Sequence, residues 1–228
     1  TPTVPLSEGV HTAYVKIVDN AGNYAEATWS FTVDITPPYF TVESPKGENN
    51  PYGTKGILFK INVIGENASK IQYSVNGGGF YNLCTSCSYY SKTRYLYEGN
   101  NSIKIRVYDK AGNMAEQQML IKVDSEAPRI LSVSPGGGSR IKGLTTFSVK
   151  YTEAILTSAE IVSWTSNNPV PYKEPLSDDC PSGSYVSCSI NKPVSLITDG
   201  KKFYYYFELI DSQGKITKTP TYTTTITA

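Results

Sequence analysis

Apolar and polar residues alternate along most of this chain. Ile103, Ile105 and Val107 are separated by Lys104 and Arg106, the two-residue period of a strand with one buried face. Ala13, Val15 and Ile17 repeat the pattern, and so do Tyr205, Phe207 and Leu209. The first two runs lead into the loops Asp19-Asn20-Ala21-Gly22 and Asp109-Lys110-Ala111-Gly112. Such a loop predicts a short turn with glycine in a left-handed position and the aspartate carboxylate accepting backbone N–H groups. The return strands carry Trp29, Phe31 and Val33, or Met119, Ile121 and Val123. Further strands are expected at residues 57–64, 70–75, 145–151 and 160–165, divided by turns rich in Pro and Gly. No stretch has the period of an amphipathic helix of useful length. The pattern predicts an all-β fold of antiparallel sheets.

The hairpins are copies of one another. Aligned without a gap at an offset of 90 residues, Leu6, Glu8 and Gly9 match Leu96, Glu98 and Gly99. Asp19, Ala21, Gly22 and Asn23 match Asp109, Ala111, Gly112 and Asn113, while Asp34, Pro38 and Pro45 match Asp124, Pro128 and Pro135. A third, more divergent copy closes the chain, with Gly200, Asp211 and Gly214 in the places of Gly99, Asp109 and Gly112. Repetition of this kind denotes a string of similar modules. About seven short strands in roughly 90 residues are the mark of an immunoglobulin-like β-sandwich. The expected organisation is tandem immunoglobulin-like antiparallel sandwiches: the closing hairpin of one module in residues 1–36, a second module in 37–125 and a third in 126–228.

The shared elements, an Asp-x-Ala-Gly-Asn turn followed by Val33-Asp34 or Val123-Asp124 and a proline at 38 or 128, resemble the tandem immunoglobulin-like repeats of bacterial and archaeal surface proteins. These include adhesin stalks, S-layer and filament components, and appendages of secreted enzymes. The resemblance covers nearly the whole chain. In such adhesin repeats, aspartates between modules help to bind calcium. That implication falls on Asp34 and Asp124, with Asp19, Asp109, Glu43 and Glu126 as further oxygen donors toward the six or more that calcium takes. The plainer alternative, which the sequence favours, is turn chemistry.

Composition narrows the function. Among 228 residues, Lys+Arg number 21 and Asp+Glu 20, for a net charge of +1. No basic excess suits nucleic acid. There is one histidine, His11, which removes most acid–base and nucleophile constellations, so an enzyme is not expected. No segment approaches the run of about 18 apolar residues needed to span a bilayer. The chain opens on Thr1-Pro2 and is expected to be a mature or trimmed piece, any leader or anchor lying outside it. Tyrosine is abundant, at 18 residues, and suits half-buried pleated surfaces.

Cys87 lies 12 residues before Gly99 and Cys188 lies 12 before Gly200, so each occupies the same place in its module, with Cys84 or Cys180 as an upstream neighbour. One disulfide per module, Cys84–Cys87 and Cys180–Cys188, is the economical reading and implies an oxidising compartment. The rival is a zinc site joining all four. Asn67 and Asn100 open glycosylation sequons. Tyr204 and Tyr206 face outward on the last hairpin, with Tyr14 equivalent to Tyr206. They are either sites for a glycan or another subunit or ordinary sheet surface.

Residues 1–34 hold only one hairpin, yet Trp29 and Phe31, with Val15, Ile17 and Val33, need cover. Either more of the same sandwich or a strand-complementing neighbour would supply it. The expected role is a structural or adhesive component of an extracellular or cell-surface assembly (stalk, S-layer or filament subunit) that meets neighbouring subunits or other surface proteins. The alternative is a non-catalytic carbohydrate- or partner-binding module attached to a secreted enzyme. No cofactor besides calcium is expected.

Overall fold

The computed structural model describes residues 4–47, 50–65, 67–177, 179–194 and 201–227. Thr1, Pro2, Asp178 and Gly200 of the third copy lie outside them. The described residues are built of strands, with no helix, as the alternating pattern predicts.

Five sheets form. Strands Gly9–Val18 and Tyr24–Val33 pair only with each other. Three strands follow in the order Tyr39–Ser44, Gly56–Ile64, Tyr89–Tyr95, and four in the order Tyr81–Cys87, Ala68–Val75, Gly99–Tyr108, Met114–Val123. Next come Arg129–Ser134, Leu144–Glu153 and Gly183–Pro193. The largest sheet runs Arg140–Ile141, Tyr222–Ile226, Lys202–Asp211, Leu156–Thr165, Tyr172–Pro175, with Ile216–Lys218 also paired to Lys202–Asp211. Arg140–Ile141 pairs in parallel with Tyr222–Ile226. The residues group into two compact units. The first holds 1–46, 58–93 and 102–119; the second holds 47–57, 94–101 and 120–228.

In the second unit the last two sheets share one core. Phe147, Val149 and Tyr151 on one sheet, and Ile161, Tyr205, Phe207 and Leu209 on the other, are fully buried. Phe147 and Tyr205 meet edge-on with ring centroids 5.0 Å apart. Each such side chain contributes about 1.5–3 kcal/mol by leaving water. The hydroxyls that come with the tyrosines are satisfied: Tyr151 donates to the Pro181 carbonyl at 2.7 Å and Tyr205 to that of Pro135. The inward alternation of Leu144–Glu153 ends on Glu153, also buried.

In the first unit the hairpin of residues 9–33 pairs Ala13 with Trp29, Val15 with Ala27 and Ile17 with Ala25, placing them on one face with His11 and Phe31. The same alternation is buried in the second copy, where Ile103, Ile105 and Val107 have no exposure. In the first copy Val15 is 43% and Trp29 52% exposed. Identical patterning therefore meets cover in one hairpin and water in the other.

Candidate functional site

In the second unit three carboxylates converge. Asp124 follows strand Met114–Val123, Glu153 ends strand Leu144–Glu153, and Asp211 ends strand Lys202–Asp211. All three are buried, and one oxygen from each lies within 4.8 Å of the others. Backbone and hydroxyl donors hold the outer oxygens. Ser212 donates its N–H to Asp124 Oδ2 at 3.1 Å, and its hydroxyl binds the same atom. Gln213 and Lys215 each donate N–H to Asp211 Oδ1 at 2.8 Å. Ile155 donates to Glu153 Oε1 at 2.9 Å. Asp124 Oδ1 and Asp211 Oδ2 have no donor.

The electrostatics follow from that crowding. Burial pushes the Glu153 carboxyl up to about 7, and the charges of Asp124, Asp211 and Glu98 add to the rise against the Ile155 N–H. Burial likewise raises Asp124, opposed by its Ser212 hydroxyl. Glu98 accepts from Ser125, N–H at 2.6 Å and hydroxyl at 2.7 Å. A cleft of about 260 Å³ is lined by Glu98, Arg129, Thr152 and Glu153. The oxygens of Asp124, Glu153 and Asp211 are spaced to hold a metal ion.

The equivalent position in the first unit is closed differently. The Asn113 amide donates to Asp109 Oδ2 at 2.8 Å, to the Asp34 carbonyl at 3.0 Å and to Asp34 Oδ1 at 3.2 Å. The turn Asp211–Lys215 has the same geometry as Asp109–Asn113, with the aspartate N–H bonded four residues on in each. Lys215 thus stands where Asn113 does, and its Nζ lies 3.5 Å from the Asp124 carbonyl. Among the described residues, Glu153 has no acidic counterpart. Arg129 faces Thr152 as Tyr39 faces Ile64, so Glu153 stands in the place of Gly65.

The two aspartates expected as calcium ligands therefore have different surroundings. Asp124 joins Glu153 and Asp211, whereas Asp34 meets Asn113 and the Thr36 N–H. Asp19 and Asp109 cap their own turns, and Glu126 pairs with Lys55. Cys84 is bonded to Cys87 and Cys180 to Cys188. Asn67 and Asn100 are exposed, while Asn101 is buried and bonded to Tyr97 and Gly99. Tyr204 stacks on Trp164 at 5.6 Å, Tyr206 meets its edge, and Lys218 lies over Tyr206. Tyr14 is 57% exposed and bonded to Glu26. His11 stacks on Phe31 and bonds the Ser7 carbonyl. Glu153 and Asp211 were not expected in a site. Their sequence signal was a carboxylate at an inward strand position and a turn aspartate retained in the divergent copy.

No family model matches this sequence, and no curated protein matches it. Among solved structures, the tetra-tandem repeat in the extending region of a large adhesion protein is similar, with a TM-score of 0.53 and 16% identity over 97% of this chain and 57% of that one. The chain thus spans little more than half of that structure. Also similar are a 1.5-MDa bacterial ice-binding adhesin, with a TM-score of 0.32, 14% identity and coverage of 97% and 75%, and the fibronectin(III)-like modules of Clostridium thermocellum CbhA, with a TM-score of 0.32, 10% identity and coverage of 83% and 94%. The fold is the all-β, immunoglobulin-like kind, and the first of these likenesses supports it.

Proposed function

We propose that this chain is a structural or adhesive segment of an extracellular surface protein and carries no catalytic site. The observation that supports this best is the repeated linker clasp. Glu8 accepts from the Ile35 N–H at 2.8 Å and the Thr36 hydroxyl at 3.1 Å, and Glu98 does the same for Ser125 one copy later. A chain that repeats the fastening of its linkers, rather than any reactive group, is built for mechanical continuity. The likeness to the extending-region repeat, along 97% of this chain, supports the same reading. Two disulfides fit an oxidising compartment.

The hairpin of residues 9–33 adds to it. A two-stranded sheet is marginal in water, and this one presents Val15, Ile17, Trp29 and Phe31 uncovered. We take that face to pack on protein beyond the hairpin, either more of the same sandwich or a strand-complementing neighbour. Immunogold labelling of intact cells with an antibody to this chain tests the surface reading. Label outside the cell supports it, and label only after permeabilisation refutes it.

A further inference from the structure

We propose that Trp164, Tyr204 and Tyr206, on the outward face of the largest sheet, form a platform that binds a neutral oligosaccharide chain. This rests on the adhesive role and gives it a class of ligand.

Strand register sets the face. Tyr205, Phe207 and Leu209 point into the core, so Tyr204 and Tyr206 point away from it. Trp164 stands opposite Tyr204, and Val162 opposite Tyr206. The Trp164 and Tyr204 rings are 5.6 Å apart and within 11° of parallel, and the Tyr206 ring meets Trp164 edge-on at 6.3 Å. All three are half-buried, and Val162, which shares their face, is 4% exposed. Rings already packed on one another lose little side-chain freedom when a ligand settles on them.

The fold does not require aromatic residues there. With Asp109 matched to Asp211, Ser102 and Lys104 take the places of Tyr204 and Tyr206, while Ile103 and Ile105 take those of Tyr205 and Phe207. Ser74 pairs with Lys104 as Val162 pairs with Tyr206, so Asn76, bonded across the strands to Ser102, stands where Trp164 does. The inward residues are apolar or aromatic in both copies, whereas the outward ones change from Asn, Ser and Lys to Trp, Tyr and Tyr. Size and charge then select the ligand. Three half-buried rings expose on the order of 200 Å², against about 800 Å² per partner in a stable protein interface. That area suits a short chain of small rings. Beside the aromatics, Lys173 bonds Glu160 at 2.5 Å and Glu208 at 2.7 Å, and Lys218 bonds Glu208 at 2.6 Å. Two cations thus balance two carboxylates, which favours an uncharged ligand. Sugar hydroxyls can donate to these carboxylates and accept from the lysines while the apolar faces of the sugar lie on the rings.

The test uses the full chain and three neutral probes, the hexasaccharides of β-linked glucose, β-linked N-acetylglucosamine and α-linked mannose, with a hexamer of galacturonic acid as the acidic comparison. Calorimetry is expected to give a Kd of about 1 mM or tighter for at least one neutral probe. Trp164→Ala and Tyr204→Ala each weaken it by about 2- to 10-fold. The triple variant Trp164→Asn, Tyr204→Ser, Tyr206→Lys, which copies the face of the middle module, abolishes binding while circular dichroism shows the sheet signal retained. Should that variant lose its sheet signal, the two single variants decide. Tyr14→Ala, at the position of the first hairpin that matches Tyr206, leaves binding unchanged. No binding of any neutral probe up to about 10 mM, tenfold above that limit, overturns the proposal. So does tighter binding of the galacturonic acid hexamer, binding that survives the folded triple variant or both single variants, or an equal loss in Tyr14→Ala. The surface role would still stand on its labelling experiment, which reads location and not ligand.

Discussion

The side-chain amide of Asn113 reaches Asp34, 3.0 Å from its carbonyl oxygen and 3.2 Å from its Oδ1. The same amide serves Asp109, which is 1% exposed. Removing it leaves a buried carboxylate oxygen without its donor. Asn113→Ala is therefore expected to cost about 1–3 kcal/mol in urea unfolding, and a change under about 0.5 kcal/mol, the scale of ordinary surface substitutions, would contradict this bond network. The equivalent Lys215→Ala is expected to cost less, because its side chain makes one long contact, to the Asp124 carbonyl at 3.5 Å.

That contrast shows what could be read from the chain. Alternation such as Phe147, Val149, Tyr151 announces strands and their buried faces, since the period of a strand is a local property. The turns at Asp19, Asp109 and Asp211 were equally plain, because each caps residues within four positions of itself. The carboxylate cluster was not. Asp124, Glu153 and Asp211 are separated by tens of residues and meet only through the pairing of sheets. Asp34 and Asp124 look alike in the repeat, yet the partner that separates them stands in a later turn, as Asn113 or Lys215. Likewise Glu153 reads as the polar end of a strand until the register sets it opposite Gly183 and inside the fold.

The two disulfides should contribute unequally. Cys84 and Cys87 are three residues apart, and Cys180 and Cys188 eight. Cross-linking removes more chain entropy for the longer loop, about 2–3 kcal/mol against about 1–2 kcal/mol. Cys188 is also part of the core. The pair Cys180→Ser with Cys188→Ser is expected to lower stability more than Cys84→Ser with Cys87→Ser in chemical unfolding. Equal losses would refute this ranking.

Glu208 carries an acid-sensitive part of the stability. It lies almost buried between Lys173 at 2.7 Å and Lys218 at 2.6 Å. Its bond to Lys173, then that to Lys218, holds its carboxyl below the usual range. A depressed carboxyl contributes above the unfolded-state pKa, and that contribution fades as pH falls through the folded-state value. Both lysines are about half exposed, so water screens the pair and Glu208→Gln should cost about 1–2 kcal/mol near neutral pH. The gap between wild type and variant in urea unfolding should narrow as pH falls below the unfolded carboxylate range and through the folded-state value. A gap independent of pH would show that the ion pairs are not its source.

Trp29 reports on cover for the first hairpin. At 52% exposure its fluorescence in the isolated chain should be quenched readily by acrylamide. In assemblies taken from their source it should be protected, because burial of such a ring is worth about 1.5–3 kcal/mol. Equal quenching in both states would mean that this face stays open to water.

The surface role is tested most directly on native material. Assemblies sheared from the cells that make this chain would be labelled with its antibody, imaged by electron microscopy and weighed by mass spectrometry. The account predicts label on large repeating surface structures in which this chain recurs. Finding the chain only as free monomers, or fused to a catalytic domain in the secreted fraction, would contradict it.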